Sequence, residues 1–200
     1  MAGSTEPPAL GPLIIVSGPS GVGKSTIIQR VLADPPAPLR LSVSATTRTP
    51  RPTERDGVDY HFWTPARFAA AVAAGEFLEH AEVHGNQYGT LRAEVEPFRR
   101  AGIGIILDID VQGAEQVRAA EPRNTSIFIR APSLEDYERR LRQRGSEDAE
   151  SIARRVAAAR AELALAPTYS YQIVNDDLGT ASRELRAIIA QACARTRDDR

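Results

Sequence analysis

The chain has 200 residues, 42% of them hydrophobic and 26% charged, which is enough apolar material for one good core with an inserted subregion. A formal net charge of −1 excludes the bulk field that marks nucleic-acid and membrane-surface binders, so anion binding has to come from local clusters. The lone Cys193 excludes an internal disulfide, and neither a signal segment nor a run approaching the ~20 apolar residues of a membrane span is present, so the sequence points to a cytoplasmic protein without nucleic-acid or membrane partners.

Residues 1–12 are rich in Pro, Gly, Ser and Thr and are expected to form a flexible extension. From residue 13 onward, short apolar runs alternate with longer helical patterns, the signature of an α/β fold with βαβ units around a mostly parallel sheet. Strands are expected at 13–17, 41–45, 103–108, 126–129 and 173–175, and helices at 24–33, 114–119, 134–143, 149–164 and 181–194. Pro35 and Pro36 stop the first helix, Ser133 with Asp136 forms a capping box, and Thr180 caps the last helix. Between about 50 and 100 the pattern becomes Pro- and Gly-punctuated, with Thr64 and Pro65 opening a short helix that Gly75 closes. This stretch reads as an insertion into the α/β core.

The first strand leads into Gly18-Pro19-Ser20-Gly21-Val22-Gly23-Lys24-Ser25, which matches the G-x-x-x-x-G-K-[ST] phosphate-binding pattern at every fixed position. A strand before and a helix after it let backbone N–H groups converge on phosphate at a helix N-terminus. Lys24 would bridge the β- and γ-phosphates and Ser25 would ligate Mg²⁺. Of the 25 basic residues, Lys24 is the only lysine. Coding bias accounts for the arginines; the exception falls where a compact ammonium is hard to replace by a planar guanidinium. A second apolar strand, at 103–108, ends in Asp108, the arrangement that places a carboxylate near the metal.

A phosphate-binding loop alone does not choose among GTPases, ATPases and small-molecule kinases. Arg48 and Arg51 lie three apart in a Pro-stiffened loop after the second strand, where an open sheet has its ligand crevice, and they suit a phosphate. His61, His80 and His84 match no metal-ligand spacing and read as structural or surface residues.

At this point the chain resembles the guanylate kinases, from about residue 13 to 194. The resemblance rests on Gly18 to Thr26, Ser42 to Arg51, Asp56 to Tyr60, Glu76 to Glu79, Gly85 to Thr90, Leu107 to Gly113 and Val174 to Asp177, in the family's order. It implies a P-loop NTPase fold with a core of about 13–47, 101–132 and 167–196, a GMP-binding region of about 48–100, and a helical lid of about 139–160. It also implies ATP as phosphoryl donor, held by the loop residues Gly18 to Thr26, with Arg140 in support and Asn175 near the adenine. Mg²⁺ would sit at Ser25 and Asp108. GMP would meet Arg48, Arg51, Tyr60 and Tyr88 through its phosphate and Ser44, Glu79 and Thr90 through its base. An ionised Glu79 suits guanine because the base presents adjacent N1–H and N2–H₂ donors, whereas a hydroxyl at Ser44 or Thr90 can donate to O6. Asp110 is placed near both base and metal, with its role undivided between them, and dGMP is left open as a second acceptor.

The implied reaction is ATP + GMP giving ADP + GDP, with Lys24, Arg48, Arg144 and Arg155 neutralising the charge of the transferring group. Two alternatives stand beside it: a non-catalytic interaction module of the same fold, and a kinase of that fold with another phosphorylated acceptor. Intact Lys24, Ser25 and Asp108 argue against the first, and Glu79 with Ser44 and Thr90 against the second.

Overall fold

The computed structural model describes residues 10–83, 85–143 and 149–198. In chain order the first elements are β1 (Leu13–Ser17), α1 (Lys24–Ala33), β2 (Leu39–Leu41), β3 (Ala45–Thr46), β4 (His61–Phe62) and α2 (Pro65–Ala73). There follow β5 (Phe77–Val83), β6 (Asn86–Leu91), α3 (Arg92–Arg100), β7 (Gly104–Asp108), α4 (Val111–Ala120) and β8 (Asn124–Arg130). The last are α5 (Leu134–Gln143), α6 (Ala149–Leu165), a 3₁₀ turn at Ala166–Thr168, β9 (Tyr171–Val174) and α7 (Leu178–Asp198).

Five strands make a parallel sheet in the order β2-β7-β1-β8-β9. Every residue of β1 is buried, as a strand covered on both faces must be. The pleat sends Ile14 and Val16 to one face, where they meet Ile27, Ile28 and Val31 of α1 and Leu185 and Ile189 of α7. Leu13 and Ile15 point the other way, toward Val95 of α3 and Ala114 and Val117 of α4. The sheet therefore sits between two helical layers, and the carboxyl ends of β1 and β7 open together toward the loop after β1.

A second, four-stranded sheet has the order β4-β3-β6-β5. Its small core is Ala45, Phe68, Ala71, Phe77 and Leu91, with Phe68 of α2 stacked on Phe77 at a centroid distance of 4.5 Å. Thr64 caps α2 through the Arg67 N–H, and Gly75, at φ +68°, follows its end. The two sheets are joined where one strand was expected over 41–45. Only residues up to Leu41 run in the core sheet, and Ala45–Thr46 pairs instead with β6 and β4. The chain crosses between sheets at residues 42–44, with the Ser42 N–H still donating to the Ile106 carbonyl at 2.9 Å.

Other boundaries shift for local reasons. Helix α4 starts at Val111, three residues before the apolar periodicity, because the Asp110 carboxylate accepts from the Gly113 N–H at 2.8 Å and caps it. Helix α7 is capped by Asp177, which accepts from both the N–H and the hydroxyl of Thr180, rather than by Thr180 itself. At α5 the Ser133 hydroxyl caps the Asp136 N–H, and the Asp136 carboxylate returns to that hydroxyl. Helix α3, placed in the insertion by sequence, packs on the core through Val95 and Phe98, so the second sheet region ends near Leu91. Within the expected 1–12 extension, Gly11 and Pro12 are bound into the fold. The Gly11 N–H donates to the Arg99 carbonyl at 2.7 Å and the Pro12 carbonyl accepts from Ile105 N–H at 2.9 Å. Residues 1–9 lie outside the described residues. Among the described residues no helix is long and apolar enough to cross a membrane.

Candidate active site

The loop between β1 and α1 takes its shape from its neighbours. Gly18, at φ +134°, lies so close to the Ile129 carbonyl of β8 that a Cβ there would overlap it. Gly23, at φ +101°, stands at the N-cap of α1 without a side-chain cap, which leaves the first N–H groups of that helix to be satisfied by a ligand. Lys24 folds back over the loop, its ammonium donating to the Gly18 carbonyl at 2.6 Å and more weakly to that of Pro19 at 3.4 Å. Pro19, Gly21 and Val22 complete the turn, with the Val22 N–H donating to the Pro19 carbonyl at 3.2 Å, and Thr26 follows on the exposed first turn of α1.

Asp108 arrives from β7, next to β1 in the sheet, and its Oδ2 accepts from the Ser25 hydroxyl at 2.9 Å. An oxygen-only pair of this kind fits Mg²⁺, which takes few protein ligands and completes its shell with water and phosphate oxygens.

Across the cleft, the second sheet supplies a phosphate-sized cluster. The Arg48 guanidinium donates to the Thr49 carbonyl and to Glu54 Oε1, both at 2.8 Å, and lies over the rings of Tyr60 and Phe62 at 5.5 and 5.8 Å. Arg51 is exposed and joins the same carboxylate, its N–H donating to Glu54 Oε2 at 2.7 Å. The hydrogen bond from Arg48 holds the Glu54 carboxyl below its ordinary range. Glu54 was not singled out in the sequence; an acid three residues after Arg51 was the available signal. Tyr60 and Tyr88 meet edge to face at 6.0 Å. Burial raises the Tyr60 phenol above its usual range, and the charge of Asp108 adds to the shift, which places this cluster within electrostatic reach of the β7 carboxylate.

Glu79 and Thr90, opposite each other on β5 and β6, are buried to 5% and 0% exposure. The Thr90 hydroxyl donates to Glu79 Oε1 at 2.7 Å. The Thr90 hydroxyl, expected to donate to guanine O6, donates to Glu79 in this structure. Burial, with a smaller push from Asp110, raises the Glu79 pKa to about 7 against the pull of the Thr90 bond. A Cβ on Gly113 would overlap Glu79 Oε2 and would approach Asp110 Oδ1 to 3.3 Å, so both carboxylates flank the same glycine of α4. Asp110 therefore lies on the Glu79 side. Ser44 stands half-buried between the two sheets, its carbonyl accepting from the His61 N–H at 2.9 Å.

From the third side come α5 and α6. Arg155 Nη2 donates to the Ser20 hydroxyl and carbonyl at 3.0 and 3.2 Å, and the Tyr137 hydroxyl donates to the same carbonyl at 2.8 Å. Arg140 is half-buried on α5, where its charge acts on Asp136. Arg144 lies outside the described residues. Sequence reasoning also missed Glu162 of α6. Burial pushes its carboxyl up, while Lys24 pulls it down and Asp110 raises it, so it lies within electrostatic reach of the loop lysine. Nothing in the helical pattern around it marked it out.

Asn175 follows β9 and is buried. Its Nδ2 donates to the Val22 carbonyl at 2.7 Å and is where a Cβ on Gly23 would strike, at 2.5 Å. The structure thus sets Asn175 against the back of the phosphate loop.

Known proteins resemble this chain over most of its length. The family model for guanylate kinase matches residues 11–192. The guanylate kinase of Symbiobacterium thermophilum is 50% identical over 93% of this chain and 88% of its own length, and that of Thermosynechococcus vestitus is 51% identical over 86% and 89%. The crystal structure of guanylate kinase from Anaplasma phagocytophilum superimposes with a TM-score of 0.77 at 31% identity, covering 92% of this chain and 87% of that one. A phosphate loop, a facing arginine–tyrosine cluster and a buried carboxylate, on a chain matched over nearly all its length, establish that this protein belongs to the guanylate kinase family.

Proposed function

We propose that the chain catalyses ATP + GMP giving ADP + GDP with Mg²⁺, as a step of purine nucleotide metabolism. The observation that carries the reading is the buried Glu79–Thr90 pair beside Asp110, two residues along the chain from the Asp108 that accepts from Ser25. Ionised Glu79 offers acceptors to the paired donors of guanine; adenine has an acceptor at N1 and would face it unmatched. Arg48 and Arg51 hold the GMP phosphate, with the phenols of Tyr60 and Tyr88 adding neutral donors. Backbone N–H groups from Gly18 to Thr26 and the Lys24 ammonium hold the ATP phosphates.

The transfer needs positioning and charge neutralisation and no covalent intermediate. The acceptor oxygen is already anionic, so no general base is required. Lys24 and Arg155, with Arg144 and Arg140, spread the charge of the moving group. Ser25 and Asp108 would hold Mg²⁺, which supplies further neutralisation of the phosphate oxygens when bound. The core, the second sheet region and the α5–α6 lid act as three parts whose closure excludes water from the transferring group.

The test mixes purified protein and Mg·ATP with each nucleoside monophosphate and follows ADP. GMP-dependent ADP formation is expected. Equal turnover with AMP, or none with GMP, would sink the reading.

A further inference from the structure

Strand β5 lies at the margin of the four-stranded sheet and pairs within it with β6. Its outer edge is covered by α4. The Gln116 carboxamide takes both main-chain groups of His80, accepting from the N–H at 3.3 Å and donating to the carbonyl at 2.8 Å. One turn earlier, Gln112 Nε2 donates to the Glu82 carbonyl at 3.4 Å and to Asp110 Oδ2 at 3.3 Å. The spacings agree for a geometric reason: helix positions four apart advance ~6 Å, and strand positions two apart advance roughly 6.6 Å. A side-chain amide carries the same donor–acceptor pair as a peptide, so Gln116 stands in for a residue of a missing neighbouring strand.

The clasped residue is next to Glu79. The pairing of β5 with β6 is irregular between Phe77 and Glu79, so the ladder restrains the strand least where the carboxylate is carried. On the other side, α4 is capped by Asp110, two residues after Asp108, and offers Gly113 as the surface against which Glu79 rests. One helix thus spans from the phosphate side of the cleft to the base side.

We infer that Gln116 is a positioning residue for guanine recognition: it locks β5 to α4 in the register that sets Glu79 against Gly113 and Asp110, with Gln112 as a weaker second tie. The inference rests on the reading of Glu79 as the residue that meets guanine. Gln116 is exposed and contributes no core packing, so its replacement leaves the fold intact.

The experiment compares wild type, Gln116→Leu and Gln116→Glu. Leu keeps length and helix propensity without either hydrogen bond; Glu keeps the acceptor and sets an oxygen against the His80 carbonyl. Loss of the clasp is expected to raise KM for GMP by about fivefold or more in Gln116→Leu, with KM for ATP and kcat at saturating GMP within about twofold of wild type. The preference for GMP over inosine monophosphate, which lacks the N2 amine, is expected to shrink. Gln116→Glu is expected to fall at or below the Leu variant. An unchanged KM for GMP, or equal rises in both KM values, overturns the proposal. Amide exchange at His80 is read in parallel and is expected to quicken in Gln116→Leu. If wild type itself failed to use GMP, the proposed function would fall, and an unchanged His80 exchange rate would independently remove the clasp.

Discussion

The Asn175 side-chain amide donates to the Val22 carbonyl at 2.7 Å, joining the end of β9 to the phosphate loop across 153 residues of sequence. Because Asn175 is buried and its own N–H donates to the Arg130 carbonyl at 2.7 Å, it is a strut between the sheet and the loop. The resemblance to the guanylate kinases implies a place beside adenine. The two roles separate by donor base. Asn175→Ala leaves a buried carbonyl unmatched at Val22, which costs roughly 1–3 kcal/mol. We predict a fall of about tenfold or more in kcat/KM with ATP and an equal fall with GTP or CTP as donor. A changed ratio among the donors would instead mark Asn175 as a reader of the base.

Glu79 should make GMP use depend on pH. Its carboxyl is raised from 4.5 to about 7 by burial, so the folded protein holds this proton more tightly than the unfolded chain. Its contribution to stability therefore declines as pH rises from 4.5 to about 7, while the ionised form that accepts from guanine gains population over the upper part of that range. We predict that kcat/KM for GMP increases through pH ~7, and that Glu79→Gln lacks this limb and loses roughly tenfold to hundredfold at pH 8. The phosphate of GMP titrates in both proteins, so the difference between the two profiles is the reading. Superimposable profiles would show that Glu79 does not meet the base.

Lys24→Arg keeps the charge in a chain that uses arginine at every other basic position. The Lys24 ammonium lies within 2.6 Å of the Gly18 carbonyl, inside a loop whose own backbone closes around it. A planar guanidinium cannot take that compact place. We predict a loss of at least about a hundredfold in kcat, a smaller change in KM for ATP and an unaltered melting temperature. Near-normal turnover would reduce the single lysine to an accident of composition.

Gly11 provides a structural control far from the cleft. A Cβ there would overlap the Ile103 backbone, and the Gly11 N–H and carbonyl are both bonded to Arg99. Gly11→Val should lower stability by about 2–3 kcal/mol through forced displacement of the β7 approach. The KM values of the protein that remains folded should be near wild type. An unchanged denaturation midpoint would mean that the segment yields freely.

Local chemistry determined a large part of this protein before any tertiary contact was known. Strand β1 and helices α1 and α5 coincide with their expected bounds because apolar period, proline stops and caps act over a few residues. The loop from Gly18 to Ser25 was legible because its residue types form one contiguous pattern, although Ile129, Asn175 and Arg155 hold it from distant parts of the chain. Tertiary structure decided what depends on partners distant in sequence. The run at 41–45 divides between two sheets because Leu41 finds Ile106 and Ala45 finds Gly89, and no property of the run itself says where its pairing changes. Glu54 enters the site through the fold that sets it on Arg48, and Glu162 through the fold that brings it within electrostatic reach of Lys24. The Thr90 proton goes to Glu79, and Asn175 turns to Val22, because a buried donor takes the nearest acceptor that the fold supplies. Residue types and order thus set which chemistry was available to this chain, and the desolvated geometry of the cleft decided which group carries each part of it.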